Sequence, residues 1–263
     1  MSSSINNEFK EELKETFKRL GIKSSDCILL HSDTTKIFYK YKKKNKNFTY
    51  NFFLETILDF FFDGTLLLPT FNFEFCEKAI YDFNNTPSKM GVLSELFRSN
   101  NKELRTSHPV YSFSVFGKLA KKFLACDNFE AFSDKSPFGK LIENNAKIAI
   151  WNLEGQKSMT YYHFIERENK VDYRFDKIFE GIYNDSKNIP FKKKFSVFVR
   201  DIENNIVTDV DGMENILWEK KIYRGKKFNE GNGMRVANCS EVFDEVSKVI
   251  RNNNAHQNLY RKL

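Results

Sequence analysis

The segment Ser158-Met-Thr160-Tyr-Tyr-His163-Phe-Ile-Glu166 sets a hydroxyl, an imidazole and a carboxylate at positions i, i+3 and i+6. On a helix these positions share one face. An imidazole of ordinary pKa, about 6.5, takes up a proton near neutral pH. Free backbone N–H groups at the helix start, or the Thr160 hydroxyl, could steady negative charge developing on a carbonyl under attack. The chemistry would be removal of a proton from a nucleophile that attacks an acyl group. The same spacing also fits a solvated polar face, so this segment alone leaves two readings open.

The other histidines are His31, His108 and His256. His31 directly follows the apolar run Cys27–Leu30, and ligands of open α/β sheets collect at the carboxyl ends of strands. His108 precedes Pro109, which biases it toward an extended backbone. His256 lies in the polar stretch Arg251-Asn-Asn-Asn-Ala-His-Gln and is expected to be solvated. His163 and Glu166 could supply two metal ligands, but no third stands at ligand spacing, so no metal is expected. Cys27, Cys76, Cys126 and Cys239 are scattered with no CxxC, as for reduced core thiols in a cytosolic protein. Neither a GxGxxG after a strand nor a GxxxxGK[ST] occurs, which excludes the usual dinucleotide and P-loop sites.

The elements that must position these residues follow from periodicity. Phe9, Leu13, Phe17 and Leu20 recur at helical spacing, which predicts a helix over 7–20 ended by Gly21. Further helices are expected over 52–62, from Ser88 as N-cap to Arg98, from about Ser158 onward and over 211–220. A last helix runs from Asn238 to about Asn253, with Glu241 completing a capping box. Buried or alternating strands are expected at 27–30, 65–70, 110–116, 147–152 and 195–199, and Lys40–Asn47 reads as a basic surface segment. Strands alternating with helices indicate an α/β fold. With 28 Phe, 11 Tyr and 41% hydrophobic residues, the 263-residue chain can fill a large core as one unit, with a smaller C-terminal subdomain from about 185 as the variant. The stretch 51–62 contains Glu55 and Asp59 and is too short to cross a membrane, and the polar N-terminus has no apolar signal core, so a cytoplasmic protein is expected.

Several pieces then fall in register. Thr86-Pro-Ser-Lys-Met-Gly91 is followed by Glu95, Phe97-Arg98 and Arg105-Thr-Ser-His-Pro109, with Ser112 and Gly117 beyond. Leu29-Leu-His31-Ser32 and Gly64-Thr-Leu-Leu-Leu-Pro-Thr70 precede this block; Ser136-Pro-Phe-Gly139-Lys-Leu141 and the Thr160–Glu166 segment follow it. In this order the chain from about 28 to 166 resembles the aminoglycoside 3-N-acetyltransferase family. It departs from that pattern at Asp33, where a second serine is usual, at Met159, where an Asn is usual, and in the lead from Trp151 to Met159.

The resemblance implies an α/β fold with a mixed central sheet flanked by helices. It implies a metal-free N-acyltransferase that uses acetyl-CoA or another acyl-CoA as donor and needs no covalent enzyme intermediate. His163 would be the general base, with Glu166 supporting it or binding the amine and Thr160 or nearby N–H groups holding the thioester oxygen. His31, Ser32, Thr86, Ser88, Met90 and Gly91 would lie along the coenzyme A arm, and His108 with Ser112 would shape the pantetheine channel.

The family's named substrates are polycations, whereas this chain carries 42 Lys and Arg against 35 Asp and Glu, a net charge of +7. Lys40, Lys42, Lys43, Lys44 and Lys46 could meet the 3′-phosphate of coenzyme A or simply keep the surface soluble. A basic enzyme suits an anionic acceptor. The expected acceptor is therefore an amino sugar linked to a nucleotide and used in glycan synthesis, with an aminoglycoside drug as the alternative. A polyanion-binding module would use the same basic and aromatic residues, but clusters such as Phe60-Phe-Phe62 read as core and no nucleic-acid motif is present, so no nucleic-acid partner is expected. An inactive relative that only binds coenzyme A is a further alternative.

Overall fold

The computed structural model describes residues 2–263, with side chains from Ser4 onward. Its strands are β1 (Cys27–Ser32), β2 (Thr65–Pro69), β3 (Ile80–Asp82), β4 (Phe113–Gly117), β5 (Lys147–Trp151), β6 (Arg174–Asn184), β7 (Pro190–Arg200), β8 (Ile206–Thr208), β9 (Arg224–Gly225), β10 (Met234–Asn238) and β11 (Tyr260–Lys262). Its α-helices are α1 (Ser2–Arg19), α2 (Thr35–Lys44), α3 (Tyr50–Phe60), α4 (Glu74–Lys78), α5 (Val92–Asn100), α6 (Ala120–Leu124), α7 (Pro137–Glu143), α8 (Gly155–Ser158), α9 (Tyr161–Glu168), α10 (Asp211–Glu219) and α11 (Cys239–Arg251).

The central sheet has six strands in the order β4-β2-β1-β5-β10-β9. β1 is parallel to β2 and β5, while β4, β10 and β9 run antiparallel to their neighbours, so the sheet is mixed and the expected fold class holds. The runs CILLHS, TLLLP and KIAIW are apolar because both faces of these middle strands are covered. Ile28, Leu30, Leu66, Leu68 and Trp151 point to one face, under α1, α2, α3 and α5. Leu29, Leu67, Ile148 and Ile150 point to the other, under α7, α9 and α11. The first four turns of the chain follow the predicted period, with Phe9, Leu13, Phe17 and Leu20 all buried.

Several expectations are corrected. Lys40–Asn47 is not a plain surface segment: most of it belongs to α2, which buries Phe38 and Tyr41 three residues apart beneath its lysines. Lys40 and Lys44 pair with Glu12 and Glu8 of α1, and Lys42 donates to the carbonyls of Lys46 and Phe48, so these three lysines of the run are engaged within the chain. Ser88 does not cap a helix. Its hydroxyl accepts from Met90 N at 3.1 Å, its own N–H donates to Glu95, and α5 starts after Gly91. Asn238 precedes α11, but its amide donates to the Glu241 carboxylate rather than closing a backbone cap. The strand expected at 110–116 narrows to β4, although Thr70 N and Asn72 N still donate to the Ser112 and Val110 carbonyls.

The helix expected from Ser158 divides into α8 and α9 around Met159 and Thr160. β6, unforeseen, forms an eleven-residue antiparallel ladder with β7, from Arg174↔Arg200 to Asn184↔Pro190. Beyond residue 185 the chain returns to the central sheet through β9 and β10.

Candidate active site

The short break between α8 and α9 sets Thr160 at the head of α9, half-buried and with no side-chain cap hydrogen bond. One turn on, His163 Nδ1 lies 2.7 Å from Glu166 Oε2. The His163 side chain is 17% exposed, whereas that of Glu166 is 1% exposed. The hydroxyl, imidazole and carboxylate are thus brought onto one short helix, and it is not a solvated face.

A third partner comes from β6. Arg174 Nε lies 2.9 Å from Glu166 Oε2 in a buried ion pair, and an Arg174 amino group donates to Thr208 Oγ1 of β8 at 2.6 Å. Tyr173 turns its hydroxyl toward the same carboxylate, and Phe132 meets the His163 ring edge-on at 5.6 Å. Burial pushes the Glu166 carboxyl up, but Arg174 and the His163 hydrogen bond outweigh it and hold the carboxyl below its ordinary value. Burial lowers His163 and Arg174 lowers it further, against the opposing pull of Glu166. The ring is therefore neutral at neutral pH. Because an ionised carboxylate only accepts, that ring carries its proton on Nδ1 and leaves Nε2 as the acceptor.

Two cavities bear on this chemistry; Arg174 lines the larger, and Thr160, His163 and Glu166 line neither. One, of about 450 Å³, is lined by His31 and Ser32 at the end of β1, by Met90 and Gly91, and by Lys89 and Lys157. It occupies the carboxyl end of β1, the strand flanked by β2 and β5, where the sheet order reverses. The other, of about 730 Å³, has Arg174 and Thr208 in its wall together with Tyr111, Phe175, Lys177 and Arg200. Aromatic contacts run from His31 to Phe71 (6.4 Å), Phe71 to Phe138 (6.3 Å), Phe138 to Phe132 (4.8 Å) and Phe132 to His163.

The smaller cavity fits an acyl-CoA arm, which presents amides, a thioester and phosphates. His31 is buried, burial drops its pKa to about 4, and its Nε2 has no hydrogen-bond partner among the described residues. A neutral ring with an orphaned nitrogen suits an amide or carbonyl, since an unpaired buried polar atom is costly. Gly91 lies at φ +102°, and a Cβ there would stand 3.2 Å from the Ser32 carbonyl, which explains the close approach of the 88–92 turn to β1. Asp33, the departure from the family pattern, also lines this cavity.

The remaining expected cofactor residues are placed differently. Ser88 lines, with Glu95, a shallow surface pocket that adjoins the smaller cavity through Lys89, Gly91 and Val92. Thr86 secures a turn, its hydroxyl accepting from Asp82 N and its carbonyl from Arg105. His108 and Ser112 are fully buried and line none of the cavities described above. His108 Nδ1 accepts from Val110 N and Tyr111 N, and Ser112 Oγ accepts from Arg105 Nε. His108 thus holds the turn that carries Tyr111 into the larger cavity, and Ser112 ties Arg105 to the Thr70 carbonyl.

Arg174, Thr208, Lys89 and Lys157 were not singled out in the sequence. Lys89 lies inside the Thr86–Gly91 block and Lys157 in the lead from Trp151 to Met159, whereas Arg174 opens a strand of mixed charge that carries no local signal. The four cysteines form no disulfide, and burial pushes Cys27 up to about 12 and Cys76 to about 11, far from nucleophilic thiolates. No group of His, Cys, Asp and Glu able to hold a metal occurs among the described residues, and no described helix is long and apolar enough to cross a membrane.

Comparison with known proteins places these features in a family. The family model described as aminoglycoside 3-N-acetyltransferase matches residues 29–251. The SPbeta prophage-derived aminoglycoside N(3′)-acetyltransferase-like protein YokD of Bacillus subtilis (strain 168) is 26% identical over 181 residues, spanning 60% of this chain and 64% of that relative, just under two thirds of its length. The crystal structure of YokD superposes with a TM-score of 0.71 at 22% identity, covering 93% of this chain and 99% of that one. The structure of AAC-IIIb as a binary complex with CoASH gives a TM-score of 0.71 at 16% identity, covering 93% of this chain and 96% of that one. Sisomicin-bound AAC-VIa gives a TM-score of 0.71 at 15% identity, covering 93% of this chain and 98% of that one.

Proposed function

Because the chain belongs to the aminoglycoside 3-N-acetyltransferase family, we propose that it transfers an acetyl group from acetyl-CoA to an amine of an amino sugar, with His163 as general base. The observation that carries this reading is the His163–Glu166–Arg174 group, a neutral imidazole oriented by a buried carboxylate. His163 Nε2 takes the proton of the attacking amine as the C–N bond forms, Glu166 steadies the imidazolium, and the thioester C–S bond breaks to release the coenzyme A thiolate, which receives that proton as the thiol. Coenzyme A supplies an activated thioester. The α9 N-terminus, with Thr160, offers N–H groups and a hydroxyl to the thioester oxygen as charge builds on it. His31, Ser32, Met90 and Gly91 bind the donor arm, and Lys89 and Lys157 favour its phosphates. The unbridged thiols agree with action in the cytoplasm.

The family and the sisomicin complex of AAC-VIa favour a polyamino acceptor of the aminoglycoside kind. One observation favours a second reading. The larger cavity presents Lys177 and Arg200 among Phe175, Phe179 and Tyr111, and of its carboxylates Asp201 is engaged by Asn204 N and Nδ2. Cations beside aromatic rings suit a phosphate-bearing aromatic group better than a polycation. The second reading is an amino sugar linked to a nucleotide.

A thiol-release assay with acetyl-CoA, run against aminoglycosides, free amino sugars and nucleotide-linked amino sugars, tests both. The reading requires acceptor-dependent thiol release with at least one amine. Greater activity on aminoglycosides selects the first acceptor class, and greater activity on nucleotide-linked sugars the second. Release from none of the panel overturns the enzymatic reading.

A further inference from the structure

We propose that Arg174 is a positioning residue for the base: by clamping Glu166 against His163 Nδ1 it fixes the tautomer that leaves Nε2 free to accept a proton. The role rests on the reading of His163 as base, but its signature can be read without substrate.

Geometry carries the argument. Glu166 is 1% exposed and Arg174 5% exposed, so their contact at 2.9 Å is shielded from solvent. The guanidinium is itself held from the far side. One of its amino groups donates to Thr208 Oγ1, and the Thr208 carbonyl accepts from Gln156 Nε2 at 3.1 Å. Gln156 belongs to α8, the helix whose Lys157 lines the smaller cavity, so the clamp is anchored to the segment that faces the proposed donor. Without Arg174, Glu166 would be a buried carboxylate facing a neutral ring and a phenol. Such a carboxylate takes up a proton readily and could then donate to Nδ1, which would move the ring proton to Nε2 and remove the acceptor.

The charged and titratable groups around the ring are few. Glu166 comes from its own helix, and Arg174 from β6, with Tyr173 just before that strand. Arg167, also on α9, is engaged by Asp176 at 3.0 Å and Glu130 at 3.8 Å. The faces of α7 and α11 turned to this side contribute apolar residues such as Phe138, Leu141, Val242 and Val246. Arg174 lowers His163 and Glu166 raises it.

The test is nitrogen-15 NMR of the imidazoles across pH in the full chain without ligands, with His163→Gln used to assign the resonance among the four histidines. The wild-type ring is expected to be protonated on Nδ1 in its neutral form. In Arg174→Gln the Nδ1-protonated share falls, and protonation persists to roughly tenfold lower proton concentration. Arg174→Lys, which keeps the charge, restores most of both properties. Thr208→Val, a milder loss at the anchor, moves both in the direction of Arg174→Gln by a smaller amount and covers the case in which Arg174→Gln fails to fold. A tautomer and titration unchanged in Thr208→Val, and in Arg174→Gln if it folds, overturn the proposal; this outcome is independent of whether the chain acetylates any amine.

Discussion

Replacing Glu166 by Gln keeps the side-chain shape and removes its charge. The carboxylate is 1% exposed and faces Arg174 at 2.9 Å, so the variant leaves a buried guanidinium whose other partner is the neutral Thr208 hydroxyl. Removing one member of a buried ion pair costs about 3–5 kcal/mol. The Gln oxygen can still accept from His163, which places the loss near the lower end, about 3 kcal/mol. Arg174→Met strands the carboxylate instead and should cost a similar amount. The double variant removes both charges, so its loss should fall short of the sum by about 2 kcal/mol. Urea unfolding of the four proteins gives the cycle directly.

The pH dependence has a fixed sign. Arg174 and His163 outweigh burial and hold Glu166 below its ordinary value of 4.5 in the folded chain. Its contribution is therefore present in full above that value and is lost as pH falls through the depressed one. The gap between wild type and Glu166→Gln should hold steady above about pH 5 and narrow in stronger acid. Additive losses in the cycle, or a gap that widens in acid, would refute the buried clamp.

Three further outcomes follow from the same geometry. Gly91→Ala puts a methyl 3.2 Å from the Ser32 carbonyl at φ +102°, so the KM for acetyl-CoA should rise several-fold while kcat changes little. Phe132→Ala opens a hole beside the His163 ring and should cost about 3–5 kcal/mol in denaturant unfolding. Burial and Arg174 lower His163, and a base must be neutral to act, so kcat/KM should rise with pH and reach its plateau with a midpoint below 6.5.

Much of this architecture was legible because local chemistry and tertiary structure agree. The apolar runs at 27–30, 65–70 and 147–152 had to be covered strands, and the period from Phe9 to Leu20 had to be an amphipathic helix. His163 and Glu166 were legible because three residues apart on one helix brings two side chains together. Arg174 was not: it lies across a loop from its partner Glu166, on a strand whose residues Asp176, Lys177 and Glu180 mask any alternation. His108 and Ser112 stand at the opposite extreme: polar residues in a motif read as ligand contacts, and here both also engage backbone groups or a buried arginine. Basic residues likewise hid α2, whose inward signal is the buried pair Phe38 and Tyr41 with Ile37 beside them.

The central claim is that the His163 imidazole accepts the proton of the attacking amine. The rate of acetyl transfer from acetyl-CoA in a single turnover, compared between wild type and His163→Ala at neutral pH with an acceptor that the thiol-release panel selects, measures this most directly. The account predicts a loss of about 10²–10⁴-fold with acetyl-CoA affinity retained. A variant that binds acetyl-CoA normally and transfers at close to the wild-type rate would contradict it.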